Sequence, residues 1–107
     1  MIAWFKVKHD DSAVSLEVAP PGQARWTAQF QWSDIVRVCF EASDLFTSDG
    51  IYIFTSARPE SYVIPIEAEG GAELWNELIH RQLFDASLAI QAATETETLH
   101  CWPEETN

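Results

Sequence analysis

Basic residues are the first scarcity. The 107-residue chain carries six Lys and Arg against seventeen Asp and Glu, a formal net charge of −11 at pH 7. The imbalance is uneven. Residues 1–58 hold seven acids and five bases, net −2, whereas residues 59–107 hold ten acids and one base, net −9. A surface of that sign repels polyanions, so nucleic acid and anionic lipid are poor partners for the C-terminal half. A basic protein surface is the complementary partner. Charge serving only solubility is the plain alternative.

Long apolar runs are also missing, which excludes a transmembrane helix. Residues 1–6 lack the basic-then-apolar order of a secretory signal. Cysteine is nearly absent. Cys39 and Cys101 make no metal spacing and no disulfide framework, which reads as two reduced thiols in a cytoplasm. There is no Gly-x-Ser-x-Gly elbow. Gly70-Gly71 precedes a helix but lacks the Lys and Ser/Thr of a phosphate-binding loop. No catalytic, cofactor or metal signature stands out, and the chain reads as a non-enzyme.

Aromatics are plentiful, with five Trp, six Phe and two Tyr. A chain of this length forms one domain and can bury about two thirds of its unfolded surface. Residues 1–66 read as β-rich, 70–84 as the main helix, and 85–107 as a short helix with a C-terminal extension. Residues 2–8 give a first strand, and His9, Asp10, Asp11 and Ser12 a turn. Val14, Leu16 and Val18 alternate with polar residues as a second strand. Over residues 23–32, Ala24, Trp26, Ala28, Phe30 and Trp32 fall on one face, which predicts a half-buried strand. Residues 35–41 follow as a β-branched strand, with a short strand expected at 45–47 and a tight turn at Asp49-Gly50. Residues 51–55 and 61–66 pair across a turn containing Pro59, and Pro65 belongs at a strand end or sheet edge.

The main helix is amphipathic. Ala72, Leu74, Trp75, Leu78, Ile79 and Leu83 share one half of its surface, centred on Trp75. Glu73, Asn76, Glu77, His80 and Arg81 share the other, with Glu77 and Arg81 spaced for an i,i+4 ion pair. Asp85 to Ser87 can cap a second helix over residues 88–93. Residues 94–98 read as a solvated connection, 99–103 as an apolar island able to dock on the sheet, and 104–107 as loose.

The fold class is α+β: about six or seven antiparallel strands, packed by the C-terminal amphipathic helix and a short second helix. Trp32-Ser33-Asp34-Ile35, Tyr62-Val63-Ile64-Pro65 and Trp75, in strands followed by one helix, resemble the pleckstrin-homology-like (PH-like) domain, above all its small bacterial branch. The resemblance covers about residues 1–84. It implies a partly open barrel or sandwich of two near-orthogonal sheets with the helix plugging one end, and no single function. Lipid binding in that family uses basic residues near the first hairpin. Here Lys6, Lys8 and His9 occupy that region, but Asp10 and Asp11 follow at once, so phosphoinositide binding is not expected.

Three function classes follow. The first is a small protein-binding module. The second is an acidic inhibitor or immunity-type protein that neutralises a basic partner. The third is an enzyme using His80 or Cys101. Candidate partner-binding residues are Glu73, Glu77, Glu95 and Glu97, all expected to be exposed. Glu77-x-x-His80 with Glu73 has the spacing of half a carboxylate metal site, but it lacks the second pair and faces away from the apolar arc. His100 and Cys101 could ligate zinc only if the fold gathered His80 or His9 beside them.

Overall fold

A computed structural model describes residues 2–42, 49–96 and 98–103. It is α+β: eight strands in two four-stranded sheets, not closed into a barrel, with two helices. The first sheet comprises β1 (Ile2–His9), β2 (Ala13–Val18), β3 (Trp26–Gln31) and β7 (Ala68–Glu69), in the order β3-β2-β1-β7. The second comprises β4 (Ile35–Glu41), β5 (Gly50–Thr55), β6 (Arg58–Pro65) and β8 (Leu99–Trp102), in the order β6-β5-β4-β8. Every named pairing is antiparallel except β1 with β7. The short strand expected at 45–47 and the loose end at 104–107 lie outside the described residues.

Asp10 builds the first hairpin. Its carboxylate accepts the N–H groups of Ser12 and Ala13, both at 2.8 Å, and its own N–H donates to the Ala13 carbonyl. Those two backbone bonds, Ser12 first, hold the Asp10 carboxyl below its ordinary value. Its carbonyl in turn accepts the Trp32 indole N–H at 2.8 Å. Trp32 thereby joins the hairpin to a 3-10 turn, Trp32–Asp34, that carries the chain into the second sheet.

The alternation in β2 buries Val14, Leu16 and Val18, and that of β3 buries Phe30. The parity holds only within Trp26–Gln31: residues 23–25 lie outside the strand with Ala24 exposed, Trp32 opens the 3-10 turn, and Trp26 is 43% exposed. Alternation decides which way a side chain points. Whether it is covered depends on how far the opposing layer extends, and Trp26 is covered only in part, with Phe5 T-shaped to it at 6.3 Å between ring centroids. Farther along, Phe30 stacks on Tyr62 of the second sheet at 4.8 Å, and the Arg58 guanidinium lies 3.7 Å from the Tyr62 ring.

The β5–β6 turn is Ser56-Ala57, two residues earlier than the sequence suggested, because Thr55 already pairs with Arg58. Pro59 thus lies within β6. It is tolerated there because β6 is an edge strand, where Pro65 also sits. Gly50 opens β5 opposite Glu41 and Pro65 and belongs to the strand, not to a turn.

The main helix, α1, spans Gly71–His80 and stops four residues short of Phe84. A Schellman closure ends it: Leu83 N–H donates to Leu78 O and Gln82 N–H to Ile79 O, with Gln82 at φ 61°. The apolar pattern continues through Leu83, so periodicity alone overran the end. Leu74 and Leu78 are fully buried, while Trp75 is half-buried, stacked on Phe40 at 4.5 Å and tilted against Phe84 at 4.8 Å. The centre of the buried stripe is therefore Leu74 and Leu78. Phe84, beyond the helix, is fully buried. The second helix, α2, spans Ala86–Thr94, capped by the Asp85 carboxylate on Leu88 N–H at 2.9 Å. Both helices serve one core, which runs from Phe5 and Leu16 through Val38 and Ile53 to Leu78 and Ala92.

The apolar island at 99–103 does dock, as β8 beside β4. This pairing sets Cys39 opposite Cys101 with Cα atoms 4.0 Å apart, and a disulfide joins them. The reading of two reduced thiols is thereby corrected. The residue spacing held no hint of the bond because it depends on the register of a strand 62 positions away.

Candidate functional site

The acidic residues divide into two groups once the fold is formed. Glu67 follows β6, Glu69 lies in β7, and Glu73 stands in the first turn of α1. All three are exposed, and none of their carboxylates has a hydrogen bond or ion pair among the described residues. No Lys or Arg stands between Arg58 and Arg81. The geometry behind this is local. β7 runs beside β1, and the chain then turns into α1 through Gly70 at φ 84°. A Cβ on Gly70 would lie 2.1 Å from the Val7 carbonyl oxygen, so the turn is pressed against β1 and its carboxylates face outward. The positive end of the α1 dipole favours Glu73 there.

The other candidate residues are partly neutralised. Glu77 is half-buried and accepts a hydrogen bond from Arg81 Nε at 3.0 Å. Arg81 also lies 4.2 Å from the Trp32 ring, which ties the helix end to the 3-10 turn between the two sheets. Glu95 follows α2 and accepts from Gln91 Nε2 at 3.1 Å. Its other oxygen lies 3.3 Å from Nε2 of buried His100, within ion-pair reach but out of line for a hydrogen bond. Glu97 lies outside the described residues. The fold thus sets Glu73 and Glu77 one turn apart on α1 and puts Glu95 on another element. Glu67 and Glu69 were missed by the sequence reading, although their alternation with Ala68 between two apolar segments was visible.

The chemistry considered for the cysteines and histidines changes with the disulfide. Cys101 has no thiol to act as nucleophile or zinc ligand while the bond stands. His80 is exposed at the end of α1, and His100 is buried beneath Glu95. Among the described residues, no three His, Cys, Asp or Glu side chains converge as a metal site would require.

Two of the surface concavities involve residues singled out above. One, about 430 Å³, crosses the outer face of the first sheet and is lined by Lys6, Lys8, Ser15, Glu17, Thr27 and Gln29. The other, about 470 Å³, lies past the end of α1 among Ile79, His80, Gln82, Phe84, Asp85 and Trp102. Among the described residues, no helix is long and apolar enough to cross a membrane. No protein-family model, curated protein or solved structure matches the chain.

Proposed function

We propose that this protein is a non-enzymatic binding module whose partner is a basic protein. The observation that carries the reading is the exposed, unpaired trio Glu67, Glu69 and Glu73 in a segment without a single Lys or Arg. Uncompensated carboxylates of this kind steer a basic surface and raise its association rate more than they slow its release. Glu73, at the head of α1, is the central contact. Glu77, Glu95 and Glu97 contribute to the field around it. The PH-like reading is supported by strands in two sheets with a helix packed on their shared core. It accounts for a module that acts through its surface. The paired cysteines support an oxidising compartment over the cytoplasm that their count suggested.

The test is association kinetics with a basic partner captured at low salt. The association rate should fall as salt rises, since the Debye length is about 8 Å at physiological ionic strength. Replacing Glu67, Glu69 and Glu73 by Gln should slow association at a fixed salt concentration, with only a small fall in the thermal midpoint from the loss of Glu73 at the helix N-terminus. A partner indifferent to these substitutions rules the reading out. The narrower form, an inhibitor of immunity type, rests on the same surface. It additionally requires that the captured partner be an enzyme or toxin that loses activity on binding.

A further inference from the structure

The two sheets present four edges, and among the described residues three are blunted. β6 carries Pro59 and Pro65 as well as Arg58 and Glu60. β7 has two residues, one of them Glu69. β8 has four and runs into Pro103. These are the devices by which sheets discourage strand addition. β3 has none of them. Its six residues, Trp26–Gln31, include no proline and no charged side chain, and all but Ala28 and Phe30 are exposed.

The hydrogen-bond alternation shows what this edge offers. Ala19 N–H donates to Trp4 O and Trp32 N–H to Ser12 O, which fixes the phase of both ladders in the β1–β2–β3 meander. In that phase Trp26, Ala28 and Phe30 turn their backbone groups toward β2, and Thr27, Gln29 and Gln31 turn theirs to the free edge. The Gln31 N–H is taken by the Asp34 carboxylate at 2.9 Å. The N–H and C=O groups of Thr27 and Gln29 are left for a further strand.

We infer that β3 is a self-association edge, and that its occupant is β3 of a second copy of this chain, antiparallel about a two-fold axis at Ala28. Three features select a second copy. The strand is uncharged in a chain of net charge −11, so the seam itself contains no like charges to repel. The Ala28-centred register pairs Thr27 with Gln29 of the second copy through their outward backbone groups, twice over. It also sets Trp26, the 43% exposed indole, opposite Phe30 of the second copy on the core-side face, again twice. An isologous contact of this kind closes at two subunits. The product is one continuous eight-stranded sheet. The seam is small beside a standard protein–protein interface, so the dimer should be in concentration-dependent equilibrium with the monomer.

Sedimentation of the purified chain from micromolar to near-millimolar concentration should show the mass rising from 12.1 kDa toward twice that value. Thr27 and Gln29 are exposed on the outer face, so charges there leave the core intact, which circular dichroism will confirm. Thr27→Lys with Gln29→Lys places like charges opposite each other at both symmetric pairs and should leave only monomer. Thr27→Glu with Gln29→Lys places opposite charges there and should restore the dimer. A monomer at every concentration, a dimer indifferent to the two lysines, or one that the Glu/Lys combination fails to restore would each overturn the inference.

Discussion

The two sheets share a plan and differ in how they keep it. Each is a three-strand meander with a fourth strand added beside the first, giving β3-β2-β1-β7 and β6-β5-β4-β8. β7 is two residues long, parallel to β1, and begins three residues after the end of β6. It is held by backbone contact: Ile2 N–H donates to Glu67 O at 2.7 Å, and Gly70 is pressed against Val7. β8 is four residues long, antiparallel to β4, and returns only after both helices. It is held by a covalent bond across a separation of 62 residues. The difference follows from loop closure, whose entropic cost rises with the length of chain closed. A strand that turns into a helix at once needs only room for its backbone. One that returns from a long excursion benefits from a bond that shortens the excursion in the unfolded chain.

The sharpest way to break this contrast is to remove the bond. Cys101→Ser should cost about 4 kcal/mol by the chain-entropy relation for a loop of this length. Reductant should shift the denaturation midpoint of the wild-type chain by a similar amount and leave the variant unaffected. Equal midpoints with and without reductant would mean that backbone pairing alone holds β8.

Gly70→Ala attacks the other fourth strand. The left-handed φ costs a non-glycine residue about 1–2 kcal/mol and the forced shift of backbone about 1–3 more, so a loss of about 3 kcal/mol is expected. Amide exchange at Ile2 should accelerate, and exchange across the β4–β8 pairing should change much less. An unchanged urea midpoint would show that the turn can relax away from Val7.

The smallest effect sharpens the comparison on the first sheet alone. Asp10 has its carboxyl held below its ordinary value in the fold, so its contribution is present above the unfolded value and is lost as pH falls through the folded one. Asp10→Asn keeps an acceptor oxygen but cannot titrate. Its stability should fall less steeply than that of the wild type as pH drops below the ordinary carboxylate range, with the two curves parallel near neutrality. Parallel curves throughout the acid range would remove Asp10 from the account.

Within β2 alternation predicted direction correctly, while Ala24 and Ala72, expected on apolar faces, are exposed. Val14, Leu16 and Val18 point inward as their alternation required, and β4 matches residues 35–41. What periodicity does not encode is cover and termination. Trp26 points with Phe30 and is left outside, and α1 ends at a left-handed Gln82 where a glycine would have signalled the stop. The candidate site was legible to the same depth. Helical phase placed Glu73 outward, and the spacing of Glu77 and Arg81 already announced their pairing. The bond between Cys39 and Cys101 depends on the β4–β8 register, which exists only after the chain has folded, and the contact of Glu95 with His100 on how the chain turns from α2 into β8. β7 is two residues long, so the alternation of Glu67, Ala68 and Glu69 was too brief to mark a strand.

The cross-link between β4 and β8 also divides the chain topologically. Residues 39–101 form a covalent ring that contains β5, β6, β7 and both helices, while β1, β2 and β3 hang outside it as a linear tail. Pulled from either side of the ring, the oxidised molecule cannot pay out the 62-residue separation, roughly 220 Å of contour at about 3.6 Å per residue. The first sheet's meander lies outside the ring and can still unravel. Under tension, oxidation sets how long the molecule can become as well as how firmly it is folded.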